Sequence, residues 1–428
     1  MSALSYFLTI TEWTIHQLQE LDREVRRILT DNKARHPCAS VPLLYLPRVQ
    51  GGRGLKSAEQ EYKEVRIKTA IHLYASSDPA VKAAALTDQA RRTRGRRSIM
   101  KDAEKYAEEM GVEIYTGENL EWSITHVSED GCEKVVTDET KIKPLLRDVR
   151  KKVLRKEIES QQWLGRYTNE RWEMGYGSDG FPWLNGWNGC PTDVVADMEE
   201  IVQQLIPTRI YYSVKLGQDI TSNLCRLCGL KQETVSHLLS GCERLSQTEY
   251  LYRHNNVLKC LYFELLKQFG VIKTVPPLNS VIEPKPLTKT KDVEILWDIP
   301  ILSSGSQVLT STEQGNRPDM VLINKKEKMV TVIECSCPLN RNMERKDVEK
   351  TSKYQEVRIE LKRRFPEYAV NQINLLLDVM GGYQKSLKES LSVLLGQDKL
   401  EIAALKKKQK AAIFGSGRIK NLFKSSRF

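Results

Sequence analysis

Two carboxylates, Asp319 and Glu334, stand at the outer ends of two apolar runs in RPDMVLINKKEKMVTVIECSCP, residues 317 to 338. If the runs pair as an antiparallel hairpin around Lys325-Lys326-Glu327-Lys328, the register follows. Asn324 faces Met329, Val321 faces Val332, and Asp319 faces Glu334. Directly opposite residues share a sheet face with β-carbons about 5 Å apart. Two acids buried at that separation repel each other unless a cation compensates, so the pair suits a shared divalent metal. Both faces of the hairpin are apolar, as expected of central strands covered on both sides.

Metal-assisted phosphodiester hydrolysis also uses a cationic side chain to meet charge developing on the phosphate. Nucleases of this kind usually place a lysine two residues after the second acid, where this chain has Ser336. The next helical stretch, ERKDVEKTSKYQEVRIELKRRF, offers a substitute. Lys350, Tyr354, Val357, Leu361 and Phe365 fall on one stripe, with Lys350 at its N-terminal end. Lys353 lies ~60° off that stripe, and Val348 and Ile359 fall on the far side.

A second constellation, CRLCGLKQETVSHLLSGC, spaces Cys225, Cys228, His237 and Cys242 as a closed structural zinc site, with the Cys pair on a tight knuckle and His237 on or beside a helix. Such a metal folds the chain and does no chemistry. Read as a local element, it should loosen residues 221 to 245 when lost and leave the rest folded. By contrast, the glycines at 51, 52 and 54 before Lys56-Ser57 have the wrong spacing for a phosphate loop and read as a tight turn.

The elements that must position these groups occupy a chain of 428 residues, too long for one core. Lys and Arg total 66 against 55 Asp and Glu, and the net charge of +11 favours a nucleic-acid partner over a membrane. No stretch approaches the ~20 apolar residues of a membrane span. The nine cysteines, with no basic stretch before the short apolar run of MSALSYFLTITEWT, point to a reducing compartment. Trp13, Leu18, Leu21, Val25 and Leu29 repeat at helical spacing, then Pro37, Pro42 and Pro47 interrupt before AEQEYKEVRIKTAIHLY resumes a helix. Residues 84 to 175 read as charged and helical. They include RRTRGRR, whose Arg91, Arg92, Arg94, Arg96 and Arg97 are either a solvated face or phosphate contacts. Trp183 and Trp187 read as a small packed core before a base-stacking platform.

Taken in order, these motifs resemble the C-terminal part of non-LTR retrotransposon polyproteins that carry a restriction-like endonuclease of the PD-(D/E)xK superfamily. LDREVRRILTDNKARHPCASVPLLYLPRVQGGRGL resembles the thumb that follows a reverse-transcriptase palm. WLNGWNGCP and QQLIPTRIYYSVK are similar to the linker, and CRLCGLKQETVSHLLSGC with EYLYRHNNVLKCLYFELL to the CCHC knuckle and its Arg-His helix. EILWDIP, RPDMVLIN, VIECSCP and EKTSKYQEV resemble the nuclease core.

The resemblance implies an α+β multidomain chain with a helical N-terminal half. Its segments would be a thumb-like region (1–80), a helical linker (81–220), a zinc knuckle with its helix (221–270), a restriction-endonuclease-like α/β domain (271–396) and a basic tail (397–428). It makes Asp319 and Glu334 Mg²⁺ ligands, gives catalysis to Lys350 with Lys353 nearby, and assigns the knuckle, Arg253 and His254 to nucleic acid, with helix packing as the equal alternative for His254. It implies DNA nicking for target-primed reverse transcription in the nucleus, after synthesis in the cytoplasm. The partners would be target DNA, the element RNA and a palm-containing polymerase or a longer polyprotein. The chain has no adjacent Asp-Asp for a polymerase palm, so no reverse transcription of its own is expected. The alternative is a remnant that binds nucleic acid without cutting it.

Overall fold

The structure, a computed structural model, describes residues 7, 8, 10–127, 131–184, 190–301, 316–395 and 398–425. It is an α+β chain that divides into two compact units, Met1–Pro47 with Gly52–Gln162, and Arg48–Gly51 with Trp163–Phe428. The boundary between the units, at residue 162, falls inside the segment 81–220. No described helix is long and apolar enough to cross a membrane.

The first unit comprises α1 (Ile15–Asp31), α2 (Val41–Tyr45), α3 (Ala58–Ala75), α4 (Pro79–Thr93), α5 (Ile99–Glu109), β1 (Glu113–Thr116), β2 (Trp122–Val127), β3 (Glu133–Val136) and α6 (Ile142–Ser160). Thr14 and Gln17 close a capping box at the start of α1. The expected stripe on α1 holds only in part: Leu18 is buried, but Leu21 is exposed and Asp22 turns inward. The reason is a helix cap. Asp22 accepts the Ser57 hydroxyl at 2.6 Å and the Ala58 and Glu59 amides at 2.8 and 3.3 Å. Those groups open α3, where unpaired amides favour an anion. Asp88 repeats the device at α5, accepting from Ser98, Ile99 and Met100. The turn before α3 is tight, as expected: a β-carbon on Gly52 would meet the Leu46 carbonyl oxygen at 2.0 Å.

The segment 84 to 175, which reads as mostly helical, also contains the antiparallel meander β1-β2-β3. Ile114, Trp122, Ile124 and Val136 point into the helical core, whereas Tyr115, Val127 and Val135 are exposed. Strands of four to six residues among charges carry too little alternation to outweigh the helical pattern around them.

The second unit begins with α7 (Arg166–Glu173), α8 (Thr192–Val202), α9 (Val235–Ser240) and α10 (Leu251–Gln268). Then come β4 (Leu287–Lys289), β5 (Val293–Trp297), β6 (Met320–Asn324), β7 (Met329–Ser336), α11 (Met343–Lys353), α12 (Gln355–Arg364), β8 (Ala369–Leu376), α13 (Lys385–Leu395) and α14 (Asp398–Ser425). The sheet runs β4-β5-β6-β7-β8 and is mixed: only β7 and β8 pair in parallel, joined by the α11–α12 crossover. Val321, Ile323, Val330 and Val332 pack against Tyr354, Val357 and Leu361 of the crossover. Met320, Leu322, Ile333 and Cys335 pack with residues of α10, α13 and α14. The central strands are thus covered on both sides. Trp183 is buried against Phe181 in a packed core, and Trp187 lies outside the described residues.

The expected basic tail is helix α14, built into this unit. Ala412 and Ile413 are fully buried, and Lys407, Arg418, Lys420 and Lys424 pair with Glu264, Glu249, Asp197 and Glu200. Lys408 is fully buried, its ammonium donating to the Ala404 carbonyl at 3.2 Å. Burial depresses its pKa from 10.5 to about 8. The unfolded chain then binds more protons than the folded one between those values, so stability should rise with pH from about 8 to 10.5. Below pH 8 the charge withholds about 3 kcal/mol. Lys408→Met is therefore expected to stabilise the unit by an amount of that order at pH 7 and to flatten its stability between pH 8 and 10.5. Urea unfolding at several pH values measures both, and an unchanged midpoint at pH 7 would contradict the buried charge.

Candidate active site and metal centre

The hairpin has the register expected from its turn, with Met320 opposite Ile333, Val321 opposite Val332 and Asn324 opposite Met329. Asp319, one residue before β6, meets Glu334 near the end of β7. The Asp319 amide donates to Glu334 Oε1 at 2.9 Å, and the Cys335 amide donates to Asp319 Oδ2 at 2.7 Å. Glu334 is fully buried, whereas Asp319 is part-exposed.

Lys350 reaches this pair from α11, its ammonium 2.9 Å from Glu334 Oε2. The helix is held in place by amides of β8. Gln372 donates to the Lys350 carbonyl at 3.0 Å, and Asn374 donates to the Asp347 carboxylate at 2.7 Å. Neither residue stood out in the sequence, since a polar residue in a strand reads as solvent-facing. The single helix expected over this stretch breaks at Tyr354, whose buried side chain donates to the Arg317 carbonyl at 3.2 Å. Val348 and Ile359 are exposed, as the stripe required. Lys353 is exposed and sits over the Tyr354 ring at 4.9 Å, and among the described residues it makes no ion pair with either acid.

His254 takes a place that the sequence does not show: its Nε2 lies 3.3 Å from Asp319 Oδ2. It comes from α10, on the opposite side of the sheet from Lys350, so the two cations meet at the end of β6 and β7. Its position beside Arg253 in sequence concealed this, because the contact spans 65 residues. Arg253 is reassigned. It is buried, donating to the Leu239 carbonyl at 2.8 Å and the Ser416 hydroxyl at 3.0 Å, and it has no surface for a phosphate.

Burial and the neighbouring Asp319 push the Glu334 carboxyl above its ordinary range, against the opposing pull of Lys350. Burial also works against an ionised Asp319, but His254 and Lys350 outweigh it and lower its pKa. For His254 and Lys350, burial is outweighed by the carboxylates, so both cations are favoured. Asp319 Oδ1 accepts no hydrogen bond from the described residues.

Cys225, Cys228, His237 and Cys242 converge so that their ligand atoms all lie within 4.8 Å of one another, a cluster able to hold a metal such as zinc. Cys225 Sγ is 4.0 Å from Cys242 Sγ, and Cys228 Sγ is 3.3 Å from His237 Nε2. Tetrahedral zinc, with bonds of ~2.0–2.3 Å, needs donor separations of about 3.5–3.8 Å, so the set fits. Gly229, at φ 68°, turns the knuckle, and its amide donates to the Cys225 carbonyl at 2.8 Å. His237 lies on α9, which Thr234 caps. Behind the knuckle, fully buried Glu233 accepts from the Arg226 guanidinium at 2.8 Å and from the Arg209 amide at 2.8 Å. Burial raises the Cys225 and Cys242 thiols, the latter to about 12, so a cation is needed to make them thiolates.

The knuckle is not the independent element expected. Cys225, Val235, Leu238, Leu239, Cys242 and Leu245 belong to one core with Val379, Met380, Ile413, Ile419 and Phe423.

In the first unit the arginine cluster separates into two kinds. Arg92 pairs with Glu104 and donates to Thr116, and is therefore committed to the fold. Arg97 pairs with Glu12 at 2.9 Å, while Arg91, Arg94 and Arg96 are exposed. No family model and no curated protein matches this chain, so what these side chains can do rests on their own geometry.

Proposed function

We propose that the C-terminal unit is a divalent-metal-dependent DNA endonuclease of the restriction-like, PD-(D/E)xK kind that non-LTR retrotransposon polyproteins carry. The observation behind this reading is the convergence of Asp319, Glu334 and Lys350 at the end of two central strands, with the ammonium 2.9 Å from the buried acid. Asp319, through Oδ1, and Glu334 would hold Mg²⁺, which when bound polarises the phosphate and acidifies the attacking water. Lys350 stays protonated at neutral pH, because its neighbours raise its pKa, and meets the charge developing on the phosphate oxygens. His254 and the Cys335 amide fix the orientation of Asp319 by holding its Oδ2.

In this reading the nick supplies a 3′ end for target-primed reverse transcription in the nucleus. Target DNA, element RNA and a palm-containing polymerase are the partners, and zinc occupies the knuckle. Incubating the protein with supercoiled plasmid tests it: Mg²⁺ should yield the relaxed form, and EDTA should prevent it. Salt-dependent binding with no relaxed product under any divalent ion would instead identify a binding remnant.

The exposed arginines make a separate prediction. If Arg91, Arg94 and Arg96 contact phosphates, neutralising all three should reduce the slope of log affinity against log salt by about 2–3. Arg92→Gln should leave the slope unchanged and lower stability. A triple variant with the wild-type slope would assign the cluster to solvent.

A further inference from the structure

The Cys/His cluster and the acid pair are joined by the first turn of one helix. Tyr250, immediately before α10, accepts the Cys242 amide at 3.0 Å and shares its hydroxyl proton between the carbonyls of His237 and Leu238, at 3.0 and 2.8 Å. Arg253, one turn on, holds the carbonyl of Leu239 from α9, the carbonyl of Cys337 just past β7, and Ser416 of α14. The next residue, His254, holds Asp319. These contacts tie the start of α10 to α9, to the segment after β7 and to α14, so a shift of the helix against the metal cluster would carry the imidazole with it.

That imidazole matters for how Asp319 presents itself. Its Oδ2 meets groups from two elements, accepting the Cys335 amide of β7 and lying 3.3 Å from Nε2 of His254 in an ion pair. Together they fix the carboxylate plane and leave Oδ1 for a cation. With one donor gone the plane can turn, and a carboxylate that must be reoriented binds a metal less tightly. Hydrogen bonds of this kind to ligating carboxylates typically change metal affinity by 10–100-fold.

We propose that Tyr250, Arg253 and His254 are positioning residues through which the Cys/His metal site sets the divalent-cation affinity of Asp319 and Glu334. This rests on the endonuclease reading of the acid pair. Arg253 and His254 thus serve the site from within, without touching nucleic acid.

The test uses the full zinc-loaded chain with Mn²⁺ as the probe, its binding followed by the loss of the free-ion electron paramagnetic resonance signal. Zinc content is measured in parallel by mass spectrometry. His254→Leu keeps much of the volume and removes the donor, and should weaken Mn²⁺ binding about 10–100-fold while zinc stays bound. His254→Gln returns an amide donor near the place of Nε2 and should recover most of the loss. Tyr250→Phe removes only the hydroxyl that grips the cluster, keeps all four metal ligands, and should also weaken Mn²⁺ binding. Wild-type affinity in His254→Leu, or no recovery in His254→Gln, reduces His254 to packing and overturns the proposal. Wild-type affinity in Tyr250→Phe overturns the link to the Cys/His site. A wild-type protein whose Mn²⁺ binding is unaffected by Asp319→Ala overturns the endonuclease reading, and this proposal with it.

Discussion

Lys350→Ala should abolish Mg²⁺-dependent nicking while DNA binding persists, a loss of ~10²–10³ in rate. Asp319→Ala should do the same. Lys350 is the ammonium that touches the acid pair, and Gln372 and Asn374 hold its helix against β8. Lys353→Ala should cost less, because Lys353 is exposed over the Tyr354 ring and, among the described residues, pairs with neither acid. Lys350→Ala also strips the fully buried Glu334 of its counter-charge, so circular dichroism and DNA binding must accompany the rate measurement. A rescue is available. Val330, Val332, Glu334 and Ser336 alternate onto one face of β7, the face that α11 and α12 cover, so Ser336→Lys would direct a new ammonium to the same side. Recovery of nicking by Ser336→Lys in the Lys350→Ala background would show that the charge matters and its strand or helix origin does not. Full activity in Lys350→Ala with none in Lys353→Ala would mean that the wrong lysine was chosen. If neither change affects an active nuclease, α11 has no part in the chemistry.

Cys228→Ser, or chelation of the metal, should unfold much of the C-terminal unit and not just residues 221 to 245. Structural zinc sites are worth an apparent ~10–16 kcal/mol, comparable with the whole stability of a typical domain at ~5–15 kcal/mol. Here the cost cannot remain local. Leu238, Leu239 and Cys242 pack with Ile413, Ile419 and Phe423 of α14, and α14 also lies along α10. Thermal melts followed in the near-ultraviolet should show the C-terminal transition lowered or lost, while the transition of the N-terminal unit survives. Reduced protein that carries no zinc, or a Cys228→Ser variant with an unchanged C-terminal melt, would sink this.

Much of the site was legible because its determinants are local. The four-residue loop at Lys325–Lys328 set the hairpin register, and register alone brings Asp319 to Glu334. The knuckle spacing named all four Cys/His ligands. The stripe from Lys350 through Leu361 found the covering helices and the lysine, because a helical period survives even a break at Tyr354.

What the sequence left undecided depends on contacts between distant segments. His254 and Asp319 are brought together by the packing of α10 behind the sheet, and nothing in the Arg-His pair announces which side chain turns inward. The interior placement of Arg253 and Lys408 runs against residue type, since charge predicts exposure until a tertiary partner overrides it. The meander β1-β2-β3 was hidden because short strands gain their stability from the helical core they cover, not from their own pattern. Sequence by itself placed Asp319 opposite Glu334, turned Lys350 towards them and grouped Cys225, Cys228, His237 and Cys242. Only the tertiary structure decided that the knuckle, α10 and α14 share a unit with the sheet, because burial in a common core is a property of the assembled chain.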